Sequence, residues 1–193
     1  SQNERDDWTE KLGARIVTTG CGQGTIFNSV LEQLENLKIK QKKIKQSTIY
    51  ALLKNLNPFN DVYKNAGAAH GCALCKNEKP LIFIEDVGRH HAVDAIAGKM
   101  WLEGISGTDK IFYNTGRLTS EMVIKVAQMK IPTLLSRSGI THMGLELAKQ
   151  LNITLLSRVK TKHFLVYNGV ENIDYDVPLP AKDNIANVVK KNV

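Results

Sequence analysis

The 193-residue sequence lacks the features that commit a chain to a membrane, a secreted scaffold or a stacking nucleic-acid surface. No apolar run approaches the roughly 20 residues that span a bilayer, and the polar start, Ser1 to Asp7, is not a signal peptide. Three cysteines, an odd number in a chain this long, do not make a disulfide framework. A reducing cytoplasm, with thiols free for chemistry, fits better. Aromatic residues are only 6% of the chain and do not interleave with its lysines, which argues against single-strand nucleic-acid binding. There is no internal repeat and no low-complexity linker. Acidic residues are in the minority, 19 against 26 lysines and arginines, for a net charge of +7.

That excess is uneven. Lys38, Lys40, Lys42, Lys43 and Lys45 form one group, and Arg158, Lys160, Lys162 and His163 another. Such patches favour polyanions, including nucleotides and phosphorylated cofactors, although the first run reads more simply as a solvated helix face. Hydrophobic residues at 42% and charged residues at 23% are those of an ordinary globular domain. The periodicity predicts a short strand at 14–17, a tight glycine loop at 20–24 and helices at 27–40 and 47–56, the second with Ser47 as N-cap. A hairpin follows, 71–76 and 79–86, turning near Asn77-Glu78. Then come a helix at 90–102, a strand at 110–114, a helix at 120–129, a strand at 133–135, a helix at 141–151 and strands at 153–156 and 164–167. This order predicts an α/β fold, a mixed sheet with helices on both faces. One principal domain is expected over 25–173, after an N-terminal segment and cysteine loop at 1–24 and before a tail at 174–193.

The chemistry-bearing residues sit where strands end. Glu85-Asp86-Val87-Gly88-Arg89-His90-His91-Ala92-Val93-Asp94 closes a hydrophobic strand with two acids, an arginine and two histidines, and open α/β sheets carry ligand crevices at strand ends. Thr115-Gly116-Arg117 and Ser136-Arg137-Ser138-Gly139 are two further loops of the same kind. Arg89 and Arg117 are suited to bidentate phosphate binding, and Gly88 and Gly116 are expected to add backbone amides. Arg158 to His163 is expected to close over a phosphorylated ligand. Cys21 lies among three glycines before a predicted helix start, where a thiol ionises readily and accepts sulfur as a persulfide. His70-Gly71-Cys72-Ala73-Leu74-Cys75 invites a zinc reading like that of nucleobase deaminases. However, the glutamate two places after the histidine is replaced by Cys72, no Pro-Cys-x-x-Cys follows, and a strand would turn Cys72 and Cys75 to opposite faces. A core histidine and two core thiols are the better reading.

Together these segments resemble the FdhD family of sulfurtransferases required for formate dehydrogenase activity. Residues 85–94 are similar to its EDVGRHNAVD signature, with His91 in place of asparagine. Residues 115–123 resemble S-G-R-x-S-x-E-M-V, residues 67–70 a degraded T-G-G-x-H, and residues 136–141 an S-x-S-A-P-T segment lacking its proline. The family's C-G-x-C-G loop keeps its first cysteine as Cys21, while Gly24 stands in place of the second. The resemblance implies that Cys21 carries a persulfide received from a cysteine desulfurase and passes its sulfur to the molybdenum bis(molybdopterin guanine dinucleotide) cofactor for formate dehydrogenase. It also implies that Arg158, Val159, Lys160, Thr161, Lys162 and His163 bind that cofactor, and Arg89, His90, Gly116, Arg117 and Ser136 are expected to join them. The cofactor is a bound substrate, and no permanently bound metal is expected. The resemblance further implies a three-layer architecture related to cytidine deaminase, with the zinc ligands lost, and a homodimer. Members usually have more chain before the cysteine loop, so the sequence is expected to lack a small N-terminal subdomain. Two rival readings are a zinc-dependent deaminase-like hydrolase and a non-catalytic guanine-nucleotide-binding module.

Overall fold

A computed structural model of the chain describes residues 39–59, 67–160 and 162–178, with residues 37 and 65. The expected strand at 14–17, the Cys21 loop, most of the 27–40 helix and Thr161 lie outside the described residues.

The chain enters as an extended strap. Ile39 and Ile44 are buried while Lys40, Lys42, Lys43 and Lys45 stay exposed. Lys40, Lys42, Lys43 and Lys45 are therefore not a helix face, and Leu37, Ile39 and Lys40 are not helical. The reason is anchoring along the strap. Ile39 N–H donates to the Leu151 carbonyl at 3.4 Å, and Gln41 accepts from Thr154 at 2.6 Å and from Asn172 at 2.9 Å. The strap ends in β1 (Ile44–Lys45), which leads into helix α1 (Gln46–Leu56). The helix buries Ile49, Leu52, Leu53 and Leu56, the i, i+3, i+4, i+7 spacing of a single apolar face. It starts one residue before Ser47, which does not cap it; Ser47 instead donates through N–H and hydroxyl to the Asp176 carboxylate at 2.9 and 2.6 Å.

The main sheet has six strands in the order β3 (Lys79–Asp86), β2 (His70–Lys76), β4 (Ile111–Asn114), β5 (Thr133–Ser136), β6 (Thr154–Lys160), β7 (His163–Asn168). The β4–β5 and β5–β6 pairs are parallel and the other pairs antiparallel. The expected hairpin turns at Asn77, which takes a positive φ of 52°. Helices α2 (Arg89–Leu102), α3 (Ser120–Gln128) and α4 (His142–Gln150) cover one face over Cys72, Leu74, Phe112, Leu134 and Leu155. On the other face α1 packs over Ala73, Cys75, Tyr113, Leu135 and Leu156. The expected mixed sheet with helices on both faces is the observed one. Each fully buried Leu, Ile or Phe on these faces contributes about 1.5–3 kcal/mol of transfer free energy.

Past the last expected strand the chain forms β8 (Ile173–Asp174), which pairs in parallel with β1 through Ile44–Ile173 and Lys45–Asp174. Among the described residues no helix is long and apolar enough to cross a membrane.

Candidate functional site

The register brings the strand-end loops at Asp86–Arg89, Thr115–Arg117 and Ser136–Gly139, with Arg158, to one end of the sheet. His70 begins β2 opposite Asp86 at the end of β3, and Cys72 lies beside Asn114 at the end of β4. Asn114 pairs with Ser136 at the end of β5, and β6 runs parallel to β5 towards Arg158. The turn after Asn114 is braced from within. The Asn114 side chain accepts from Gly116 N–H at 2.9 Å and donates to the Gly116 carbonyl at 3.0 Å. Ser136 Oγ donates to the same carbonyl at 2.7 Å and accepts from Ser138 N–H at 3.0 Å. Thr115 Oγ1 accepts from Gly71 N–H at 2.9 Å.

These bonds correct one expectation. The amides of Gly116 and Gly88 are consumed inside their turns, by Asn114 and by Asp86 Oδ1 (2.8 Å) respectively. Ser136 is fully buried with its hydroxyl engaged, so it holds the loop. Gly116 is needed for close approach. A Cβ there would stand 3.1 Å from His70 Nδ1 and 3.2 Å from Arg89 Cδ, so the bare backbone lets β2, α2 and the β4 loop converge. The guanidinium of Arg158 lies over Gly139, where an added Cβ would be 3.6 Å from its terminal nitrogen. Arg158 N–H donates to the Ser138 carbonyl at 3.0 Å. Arg158 itself takes a positive φ of 54° at an irregularity in the β6–β7 register, a conformation that costs a non-glycine residue about 1 kcal/mol. Arg117, Lys160, Lys162 and His163 are exposed at this end. Val159 is 1% exposed and its side chain belongs to the core on the α1 face, leaving only its backbone for any ligand.

The acid and base candidates sort into different duties. Asp86 accepts from His91 at 3.2 Å as well as from Gly88, and these hydrogen bonds, the backbone one foremost, hold its carboxyl below its ordinary range. Asp94 is bound by Lys125 through both oxygens at 2.6 Å. What remains at this end of the sheet is His70, Arg89, His90 and, at the start of α3, Glu121. Burial, and then the Arg89 charge, lower the pKa of both His70 and His90, so both imidazoles favour the neutral form. His90 Nε2 stands 3.3 Å from Glu121 Oε2, out of hydrogen-bond alignment.

Unmet hydrogen-bonding capacity concentrates here. Among the described residues, the buried side-chain polar atoms without a partner are His70 Nδ1, Arg89 Nε, His90 Nε2, Thr119 Oγ1, Ser157 Oγ and Gln46 Oε1. All but the last lie at this end of the sheet. Buried polar atoms are ordinarily paired, and each orphan costs roughly 1–3 kcal/mol, so such a concentration makes this end the candidate place for a polar ligand. His70, Thr119 and Glu121 stand out only in three dimensions, although each lies inside a segment already noted.

The thiols tell the opposite story. Cys72 and Cys75 are both fully buried, on opposite faces of β2 as expected. Burial pushes the Cys72 thiol up to about 12, and Cys75 is raised as well. Cys72 Sγ faces Asn114 Oδ1 at 3.6 Å and the Arg89 carbonyl at 3.9 Å. Zinc and sulfane sulfur both require thiolate, which these sites disfavour. Among the described residues no three His, Cys, Asp or Glu side chains gather as a metal set.

The model of the FdhD/NarQ family matches residues 1–174. The chain is similar to the sulfur carrier protein FdhD of Bacillus subtilis, 31% identical over 171 residues, covering 88% of this chain and 64% of that one. It is also similar to the sulfur carrier protein FdhD of Thermoplasma volcanium, 32% identical over 154 residues and covering 79% and 55%. A solved structure of a formate dehydrogenase accessory protein from Desulfotalea psychrophila superposes with a TM-score of 0.68 at 33% identity, covering 74% of this chain and 62% of that one. The chain therefore spans less than two thirds of the length of these relatives.

Proposed function

The chain belongs to the FdhD/NarQ family, and from that premise we propose that it is a sulfur carrier serving a formate dehydrogenase. In this reading the Cys21 thiolate attacks the terminal sulfur of a cysteine desulfurase persulfide. The donor's cysteine leaves as thiolate and Cys21 becomes the persulfide. An external thiol then attacks the inner sulfur of Cys21, forming a mixed disulfide and releasing the outer sulfur as hydrosulfide, which replaces an oxo group on molybdenum in the bis(molybdopterin guanine dinucleotide) cofactor as the oxygen leaves as water. The cofactor is the substrate here, held through its phosphates by Arg89, Arg117 and the Arg158–His163 segment, and it moves on to the apo-dehydrogenase.

The observation that carries this reading is the cluster of orphaned polar atoms at the arginine-bearing end of the sheet, the mark of a site made for a polar anion. Elimination among the thiols supports it. The chain has three cysteines, and two are sealed in β2 with raised pKa values, which leaves Cys21 to carry sulfur without a relay through Cys72 or Cys75. A deaminase-like three-layer architecture, a homodimer and a cytoplasmic location belong to the same reading.

The test is incubation with a desulfurase and cysteine, followed by peptide mass mapping. The wild type should gain one sulfur atom on the Cys21 peptide, and Cys21→Ala should gain none while still binding GDP. Persulfide formation in Cys21→Ala would rule out the assignment. GDP binding with no sulfur loading of the wild type would leave a nucleotide-binding module instead.

A further inference from the structure

An open groove of about 520 Å³ runs between α2 and α3, lined by Met100, Trp101, Ile105 and Met129. Trp101 is 82% exposed, and Leu102 beside it is exposed as well. Large apolar side chains left together in water mark an interaction surface, and two methionines let that surface adapt to what lies on it. At one end of the groove Asp94 and Lys125 pair with each other; at the other, just past the ends of α2 and α3, lie Gly104 and Lys130. Lys130 has no ion-pair partner among the described residues.

The topology says which part of the chain is nearest. β4, β5 and β6 run parallel and begin just after α2, α3 and α4 end, so the three helices finish together at the end of the sheet away from the arginine-bearing loops. The chain before Leu37, outside the described residues, departs from that same place. Ile39 N–H bonds to the Leu151 carbonyl at the close of α4, and Leu37 packs on the core cluster that also carries Ile105 and Met129. Phe27, Val30, Leu31 and Leu34 follow the i, i+3, i+4, i+7 spacing of one apolar helix face, with Glu32 and Glu35 beside it. Phe27 and Leu34 are seven residues apart, as are Asp94 and Trp101 along α2, about 10 Å of helix in each case.

We propose that residues 27–36 lie in this groove as an amphipathic helix, Leu34 by Trp101 and Phe27 towards Asp94, with Glu35 beside Lys130. Length, apolar spacing and charge match, and the tether at Leu37 makes the segment a far more concentrated occupant than any free partner. The direction has a consequence that rests on the reading of Cys21 as the sulfur carrier. His90 and Glu121 stand one turn before Asp94 and Lys125 on their helices. A helix rising along the groove from Leu37 therefore delivers the Cys21 loop, six residues before Phe27, to the arginine-bearing end of the sheet rather than the far one.

The experiment is acrylamide quenching of the full chain carrying Trp8→Phe, which leaves Trp101 as its single tryptophan. Trp101 should emit to the blue and resist quenching. Leu34→Asp should cost the docked state roughly thirtyfold in population and bring quenching to that of an exposed indole. Glu35→Lys should weaken docking about twofold, and Lys130→Glu added to it should restore the shielding, a reversal that unfolding cannot produce. A Trp101 quenched as freely before Leu34→Asp as after it overturns the inference. So does shielding that survives Leu34→Asp, and if that shielding fades on dilution the occupant is a second copy of the chain. None of these readings involves sulfur or GDP, so their failure leaves the proposed function standing. Shielding of Trp101 in a wild type that loads no sulfur on Cys21 would keep the docked helix and remove the sulfur carrier.

Discussion

The two ends of the central sheet are built from the same strands and treat their polar groups in opposite ways. At the end where β4 and β5 begin, Asp109 is bound by Lys76 at 2.8 Å and by Lys110, which is itself 8% exposed. No side-chain atom in these starting loops is among the buried orphans. At the end where β4 and β5 finish, the short turns are braced by Asn114, Thr115 and Ser136, yet the side chains beyond them are left with unmet polar atoms. One end spends its polar groups on the fold. The other holds them in reserve, which is what the proposed binding edge requires and a structural edge does not.

The comparison breaks most sharply at two glycines. A Cβ on Gly107 would stand 1.9 Å from the Met129 carbonyl oxygen, where only a backbone shift makes room. Gly107→Ala is expected to destabilise the chain by about 3 kcal/mol, seen as a lowered urea midpoint. Gly116→Ala meets side chains at 3.1 and 3.2 Å instead. It should keep most of the stability and lose roughly tenfold in GDP affinity, equivalent to about 1.4 kcal/mol. Equal loss of stability in both variants would erase the distinction between the ends.

A smaller effect comes from acid. Hydrogen bonds from Lys110 and then Lys76 hold Asp109 down to about 2, below its ordinary 3.8. Because the folded-state pKa is depressed, the contribution is present above the unfolded value and is lost as pH falls through 3.8 towards 2. Partial exposure of the pair holds it to about 1 kcal/mol. Asp109→Asn should flatten that limb of the stability–pH curve, measured by denaturant unfolding, without changing GDP binding at neutral pH.

The smallest expected change has the reverse sign. Arg158→Gly relieves the positive φ of Arg158 and should raise stability by about 0.5 kcal/mol while weakening GDP binding roughly tenfold, as expected for a lost charged hydrogen bond. A variant less stable than the wild type would mean that the arginine serves the fold rather than the crevice.

Much of this was legible in the residues. The alternation of buried runs and helical spacings located β2 to β7 and α1 to α4 because each buries a continuous apolar face, as Ile49, Leu52, Leu53 and Leu56 do in α1. The gathering of Gly88-Arg89, Gly116-Arg117 and Ser136 to Gly139 at one sheet end followed from strand direction alone. β8 was not legible, because two residues carry no period. The strap at 39–45 looked like a lysine-rich helix face because its anchors, Gln41 with Thr154 and Asn172, are more than a hundred residues apart in sequence. The glycine amides looked available because a residue string does not reveal that Asp86 and Asn114 fold back on them.

Enclosing Cys72 and Cys75 within β2 has a practical consequence. A folded chain offers an alkylating reagent at most a single sulfhydryl, so a fluorophore or spin label can be attached at one position with no background to remove. Reagent consumed beyond one equivalent per chain would then report that the hairpin has opened.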